Sequence, residues 1–404
     1  MTLRLSPDAC LLWARCQGGR KAENMTKIYL IRHAEAEGNL YRRGQGHFDG
    51  KVTAQGEKQI AALAERFKEI PITALYSSDL SRTQATAGAV LKYNPELNLR
   101  IEPRLREVCM GVWENQAWGN MTYDHPEQMA NFSHDPENWT VEGCEPFSEL
   151  TSRMTGIIRE LGDRHKGETI AAVSHGMAIR ALLCAIMKIP SNEISRIPHS
   201  DNTAVSLLKI ENDEISAEFY NDNSHLSDDI STFAKQTWWK EKSGNDGMNL
   251  RFLPLDLSEE SKFYSQSYAD TWRIAHSNLK GFEPEYYLER AARHAKSHPM
   301  ALMKALKEEE AVGIIDLDIE KGRGENAGWI SLCWIEEAHR NQQLGVQLIG
   351  HAVFVFRNLG RKTLRLSVAE SNKQAIGFYE KYGFKIISEK EGAGGILLVM
   401  EMEI

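Results

Sequence analysis

A chain of 404 residues exceeds what one hydrophobic core ordinarily serves, so two domains are expected. A net charge of −8 with no basic block argues against a role built on neutralising nucleic-acid phosphates, and no apolar run approaches the ~20 residues of a membrane helix. The six cysteines (Cys10, Cys16, Cys109, Cys144, Cys184, Cys333) show no C-x-x-C spacing and read as reduced thiols, which implies the cytoplasm.

Residues 1–24 hold only a weak apolar patch and are set apart as an N-terminal extension, a candidate for disorder. The first domain is placed at 25–226. It opens on the apolar run Lys27-Ile28-Tyr29-Leu30-Ile31, a strand that ends on Arg32-His33. The carboxyl edge of such strands is where open α/β sheets hold ligands. Glu35, Asn39 and the stretch Gly44-Gln45-Gly46 follow and suit a phosphate site. Ala54–Phe67 and Leu80–Leu91 have helical spacing, with Ser78 or Asp79 as N-cap of the second. Between them Thr73–Tyr76 reads as a strand. Ser148–Leu161 and Met177–Met187 read as helices, and Thr169–Val173 and Ala204–Leu208 as strands. The alternation predicts a mostly parallel sheet with helices on both faces. His47, His125, His134, His165 and His199 lack metal spacing and are read as solvated.

Residues 227–248 form a polar linker whose Trp238-Trp239 is assigned to a core or interface. The second domain is placed at 249–404: a strand, two helices, strands at Ala311–Ile315 and Trp329–Ile335, and a helix over Gly345–Leu359. A strand at Thr363–Val368, a helix over Lys373–Tyr382 and a final strand pair complete it.

Arg32, His33, Arg82, Glu107 and His175 together suit phosphoryl chemistry. Guanidinium forks match phosphoryl oxygens, a neutral imidazole can attack phosphorus, and a second histidine can donate to the equatorial oxygens. A protonated carboxyl can deliver the proton to the departing alkoxide. The scheme requires no metal.

Residues 27–226 resemble the histidine phosphatase superfamily, in its phosphoglycerate-mutase-like branch. The resemblance rests on Leu30-Ile31-Arg32-His33-Ala34-Glu35 with Asn39, Val52-Thr53 with Gly56 and Gln59, and Ser77–Thr83. It rests further on Leu105-Arg106-Glu107 with Trp113-Glu114, and on Val173-Ser174-His175-Gly176. It implies a three-layer α/β/α domain with His33 as nucleophile, Glu107 as proton donor, and Arg32, Arg82 and His175 around the phosphate. Asn39, Gln45, Gly46, Ser174 and Gly176 are the implied substrate-binding set. Gly143-Cys144-Glu145-Pro146 departs from the family's Gly-Gly-Glu-Ser stretch and is assigned no role. The segment between Glu107 and His175 is short, which leaves the site open to water and favours a phosphatase over a phosphomutase.

The strand Trp329–Ile335, the polar turn Arg340-Asn341-Gln342-Gln343-Leu344-Gly345 and the helix after it present backbone N–H groups to an anion. With Asn372, Ala375 and Phe378–Phe384, they resemble the GNAT acyltransferase superfamily over 249–404. That resemblance implies an α+β domain with a mixed, mostly antiparallel sheet, and acetyl-CoA as acyl donor to an amine. Ile335, Arg340, Gln343, Leu344, Gly345, Val346 and Asn372 are the implied coenzyme contacts, and Tyr379 the proton donor to the leaving thiolate. Gln343 stands where a glycine is common, which implies weaker coenzyme binding. No general base or acceptor-binding residue is identified. The expected protein is a bifunctional phosphatase and N-acetyltransferase acting on a small phosphorylated metabolite and an amine, with no nucleic-acid or membrane partner. The alternatives are a phosphoglycerate-type mutase, or a phosphatase with a non-catalytic acyl-CoA-sensing domain. If the two halves act in sequence, the simplest shared substrate carries both a phosphate and an amine.

Overall fold

The computed structural model describes residues 25–235, 248–392 and 395–404. The N-terminal extension and Trp238-Trp239 fall outside the described residues. The chain divides into two compact units, and Ala117–Tyr123 groups with the second.

The first unit is built on a six-stranded sheet ordered β3-β2-β4-β1-β5-β6. The strands are β1 (Thr26–Arg32), β2 (Ala74–Ser77), β3 (Leu99–Ile101), β4 (Thr169–Ser174), β5 (Val205–Glu211) and β6 (Glu214–Asp222). The first four run parallel, and β5 and β6 add an antiparallel edge. The unit's helices are α1 (Glu37–Tyr41), α2 (Ala54–Phe67), α3 (Ser81–Leu91), α5 (Pro126–His134), α6 (Phe147–Arg164), α7 (Gly176–Ile186) and α8 (Thr232–Lys235), while α4 (Trp118–Asp124) falls, but for Asp124, in the segment that groups with the second unit. Ile28, Leu30 and Ile31 are fully buried, as expected for a central strand covered on both faces. Leu63 and Phe67 of α2 and Val90 of α3 pack with Ile31, Leu75 and Val173. The apolar stripes of α6 and α7 (Met154, Ile157, Leu161, Ile179, Leu182) are buried in the same unit.

The N-cap of α3 is Leu80, without a side-chain cap, rather than Ser78 or Asp79. Ser78 Oγ instead accepts the Leu80 N–H at 3.3 Å and faces the site. The unit also continues past residue 226. Ser231 Oγ donates to Asp201 Oδ2 at 2.6 Å, and Phe233 N–H donates to Asp201 Oδ1 at 3.2 Å.

The second unit holds a seven-stranded sheet ordered β12-β13-β11-β10-β9-β8-β7. In chain order it comprises β7 (Leu250–Pro254), α9 (Leu257–His276), α10 (Pro284–Ser297), β8 (Leu302–Lys307), β9 (Glu310–Asp318), β10 (Ala327–Ile335), α11 (Gly345–Asn358), β11 (Thr363–Ala369), α12 (Lys373–Lys381), β12 (Lys385–Gly392) and β13 (Gly395–Glu403). Only β10 and β11 pair in parallel, so the sheet is mixed and mostly antiparallel. At Gly328 a β-carbon would lie 2.3 Å from the Phe356 ring, so a side chain there would displace α11 from β10.

Candidate active site

Strand register builds the first site. Arg32 and Ser174 are partners at the ends of parallel strands β1 and β4, and His33 N–H donates to Ser174 O at 3.0 Å. The residues that follow, His33 and His175, therefore leave the sheet side by side. Their ring centroids are 5.2 Å apart.

The two rings adopt complementary tautomers, fixed by their partners. His33 Nδ1 lies 2.7 Å from the Ala34 carbonyl oxygen, which can only accept, so Nδ1 carries the proton and Nε2 keeps its lone pair. Arg82 Nη2 donates to His175 Nδ1 at 3.1 Å, so His175 carries its proton on Nε2 and donates it to Ser78 Oγ at 3.1 Å. Burial first, and the Arg82 charge second, push both imidazoles well below 6.5. A lone pair on His33 Nε2 is what an attack on phosphorus requires.

The guanidiniums supply the anion-binding groups. Arg82 is fully buried, and burial pulls its value down to about 10. It donates to Gly46 O at 2.7 Å and Phe48 O at 2.9 Å. Arg32 donates to the Ser200 carbonyl. Among the described residues the Nε atoms of both arginines are buried with no hydrogen-bond partner. Unpaired buried donors are costly, and an anion between them would remove that cost.

Glu107 is buried and caps α7. Its Oε1 accepts from Val108 N at 3.0 Å and Ala178 N at 2.8 Å, and its Oε2 from Met177 N at 3.0 Å. Oε2 keeps a lone pair for a proton. A β-carbon on Gly176 would sit 3.4 Å from Arg32 Nε and 3.8 Å from this oxygen, so Arg32 and Glu107 share one wall.

Other expected residues act as scaffold. Gln45 Oε1 accepts the Gly38 N–H at 2.7 Å, and Ser174 Oγ donates to Leu105 O at 2.7 Å. Asn39 Oδ1 accepts from Ala36 N at 3.1 Å, which leaves its Nδ2 as the group available to a ligand. Gly46 has no room for a side chain: a β-carbon would lie 2.3 Å from Val108 O. Glu35 turns away to Thr53 and Thr232, and burial raises its carboxyl. Not all the remaining histidines are solvated. His165 is buried between Tyr76 and Glu168, and His47 Nε2 lies 3.0 Å from the Glu107 carbonyl.

Sequence reasoning missed Asn202, whose Nδ2 donates to His33 O at 3.0 Å, and the Glu145–Arg153 pair. Arg153 binds Glu145 at 2.6 Å and donates to the carbonyls of Arg104, Arg106 and Glu107 at 2.8 Å each. Asn202 lies three residues before β5, at no spacing that ties it to His33. Arg153 lay in a helix face that reads as solvated.

In the second unit β10 and β11 pair only over Ala327–Ile330 and Thr363–Leu366, then separate, with a register shift between Ile330 and Leu332. The β11-facing edge of β10 from Leu332 to Ile335 lines this opening, while its other edge stays paired with β9. Leu344 is buried and precedes α11, whose first residues are Gly345 and Val346. The first-turn N–H groups of such a helix lack intrahelical partners and face outward. Gln343 adopts a left-handed φ of 60°, the conformation a glycine would take without strain. Arg340 turns back, donating to Ile335 O at 2.9 Å and Asp270 Oδ2 at 2.6 Å, so its guanidinium braces the turn. Asn372 caps α12 through Oδ1, which accepts from Ala375 N at 3.1 Å. Tyr379 lies beside Cys333 of β10. A widening strand pair beside a helix N-terminus fits an extended pantetheine arm with its pyrophosphate at the turn.

A family model described as histidine phosphatase superfamily (branch 1) matches residues 28–223. One described as acetyltransferase (GNAT) family matches residues 263–384. The chain is 35% identical over 171 residues to "Probable phosphoglycerate mutase GpmB" of Escherichia coli O1:K1, covering 41% of this chain and 77% of that protein. The protein of the same name from Shigella boydii serotype 18 matches equally well, at 35% identity over 41% and 77%. Among solved structures, YhfR of Bacillus stearothermophilus is 27% identical with a TM-score of 0.48, covering 50% of this chain and all of that one. The chain belongs to the histidine phosphatase superfamily through its N-terminal half and carries a GNAT acetyltransferase domain in its C-terminal half.

Proposed function

We propose that the protein is a bifunctional enzyme that hydrolyses a small phosphomonoester through a phosphohistidine and transfers an acyl group from acetyl-CoA to an amine. The observation that carries the first activity is the His33 tautomer, with Nδ1 tied to Ala34 O and Nε2 bearing a lone pair beside two arginines. In this reading Nε2 attacks phosphorus while Arg32 and Arg82 hold the phosphoryl oxygens, and Glu107 protonates the departing alkoxide. Water then hydrolyses the phosphohistidine. His175 serves a phosphoryl oxygen only after Nδ1 exchanges the Arg82 contact for a proton. Asn39 and the Gly46 loop support the phosphate. No metal enters this scheme.

Incubation with an aryl phosphate, an alkaline quench and mass spectrometry of the His33 peptide tests it. A phosphorylated His33 is expected, and turnover without that adduct would sink the mechanism. The name of the 35% identical relatives favours a second reading, a phosphoglycerate mutase. Phosphoglycerate isomerised without release of inorganic phosphate would establish that reading instead.

The second activity is supported by the opening between β10 and β11 and by Tyr379 beside Cys333 of β10, a hydroxyl we assign as proton donor to the leaving thiolate. Thiol release from acetyl-CoA with an amine panel tests it. Coenzyme binding without transfer to any amine would favour a sensing domain. Among the described residues no helix is long and apolar enough to cross a membrane, and the four described cysteines are unpaired.

A further inference from the structure

The second unit contains a buried polar chain that none of the roles above uses. Asp316 on β9 is fully buried, yet it accepts from Tyr264 Oη of α9 at 2.8 Å and pairs with His294 Nδ1 of α10 at 2.6 Å. A carboxylate on Nδ1 fixes the imidazole tautomer and leaves Nε2 as the basic nitrogen. That nitrogen faces outward to Asp318 Oδ2 at 3.4 Å. Buried charge is expensive, and an apolar core would be at least as stable, so such a chain calls for a chemical reason.

Its position supplies one. Asp316 is the ladder partner of Leu332 on β10, the first pair after the register shift, just where β10 leaves β11. The opening thus begins beside Leu332, one ladder pair from the carboxylate that holds His294.

Beyond Asp318 the charge reverses. Trp329, the partner of Asp318 across the β9–β10 ladder, carries Lys321 Nζ at 3.4 Å and Lys390 Nζ at 5.4 Å from its ring centroid. Lys321 follows Asp318 in one turn, its N–H donating to Asp318 Oδ1 at 3.0 Å. Arg290 lies one helical turn before His294, stacked over Tyr268 and Tyr287; its Nη2 donates to Tyr268 Oη at 2.9 Å, and its buried Nε has no partner among the described residues. Neither lysine is in a salt bridge among the described residues. Desolvation first, then Lys390, brings the Lys321 ammonium down to about 8, with Asp318 opposing. Two ammoniums crowded on one indole near a third cation form a site for an anion.

We infer that this face binds a zwitterionic acceptor, a primary amine bearing a carboxylate or phosphate, with the ammonium at Asp318 and His294 and the anion at Lys321, Lys390 and Arg290. The inference rests on the acyl-transfer reading and names its missing base. The ammonium gives one proton to His294 Nε2 and through it to water. The amine nitrogen then forms the N–C bond to the acetyl carbonyl as the C–S bond breaks. Tyr379 protonates the thiolate, and the remaining excess proton on nitrogen restores the phenol.

The test uses the full chain with acetyl-CoA and three amines of matched length: β-alanine, 2-aminoethylphosphonate, whose C–P bond the first unit cannot hydrolyse, and propylamine. We expect kcat/KM for at least one anionic amine to exceed that for propylamine by about tenfold or more, roughly one good ionic contact. Which anionic amine prevails identifies carboxylate or phosphate. Lys321→Ala should erase the preference by raising KM for the anionic amines alone. His294→Gln should lower kcat about a hundredfold with KM for acetyl-CoA unchanged. Equal rates on all three amines, or a Lys321→Ala loss shared by propylamine, overturn the inference while leaving acyl transfer standing. Failure of every amine together with no binding of CoA by calorimetry overturns both.

Discussion

Arg153 holds Glu107 by its backbone: Arg153 Nη2 donates to the Glu107 carbonyl oxygen at 2.8 Å while the same guanidinium is clamped by Glu145. The carboxylate of Glu107 is thus positioned from two sides, by this fork and by the first turn of α7. Misplacement of about 1 Å can cost on the order of a hundredfold in rate. Arg153→Ala is therefore expected to lower phosphatase kcat by about ten- to a hundredfold while KM for an aryl phosphate changes little. Arg153→Lys should behave almost as badly, because an ammonium cannot span Glu145 and three carbonyls. Steady-state kinetics decide it, and a wild-type kcat in Arg153→Lys would refute the bracing role.

The buried imidazoles set an acid limb. His33 and His175 are held well below 6.5 by burial and by Arg82, so both stay neutral through the physiological range. Phosphatase kcat should show no inflection at 6.5 and should fall only at lower pH, as His33 Nε2 is protonated. Stability follows the same sign. The unfolded chain binds more protons than the native one between the folded values and 6.5. The contribution is complete above 6.5 and is lost as pH falls toward the folded values. His225, brought down to about 4 by burial, acts in the same direction. Histidine NMR titration with kcat–pH profiles measures this, and a His33 midpoint at or above 6.5 would contradict it.

Gly46 and Gly88 make a matched pair. A β-carbon on Gly46 would lie 2.3 Å from Val108 O and 2.4 Å from Glu114 Oε1, whereas one on Gly88 meets nothing within 4 Å. Gly46→Ala must shift the loop whose carbonyl binds Arg82, and a loss of at least about tenfold in phosphatase kcat/KM is expected. Gly88→Ala, on an open face of α3, should stabilise by roughly 0.5–1 kcal/mol with activity intact. If the two variants behave alike in kinetics and melting, the steric account of Gly46 fails.

Much of this was legible because parallel strands announce themselves. The run Lys27–Ile31 and the run Thr169–Val173 each ended on histidine-bearing edges, and register then placed His33 beside His175. Short or amphipathic pieces were not legible. β3 spans only Leu99–Ile101, and β6 alternates exposed and half-buried residues, so neither stands out as a buried run. Roles that depend on where a side chain turns were also hidden. Gln45 and Arg340 carry ligand-binding chemistry but spend their principal contacts on Gly38, Ile335 and Asp270. The His294–Asp316–Tyr264 chain joins residues from three elements at no fixed spacing, so only the fold could bring it together.

Tyr379 offers the sharpest separation of the two activities. Desolvation, then the neighbouring Cys333, raises its hydroxyl well above 10, and the Cys333 thiol is itself pushed up to about 12. Both therefore remain protonated in any ordinary assay, as the proposed proton donor to a departing thiolate has to be. Tyr379→Phe keeps the ring packed on Phe378 and Phe384 and removes only the hydroxyl. Acyl-transfer kcat is expected to fall by about ten- to a hundredfold, with CoA affinity and phosphatase activity unchanged. The cap variant Asn372→Ala controls for simple loosening of α12. Loss of its bond to Ala375 should cost about 1 kcal/mol of stability without a comparable fall in kcat. Transfer by Tyr379→Phe at the wild-type rate would mean that the thiolate takes its proton elsewhere, and the assignment of this hydroxyl would be withdrawn.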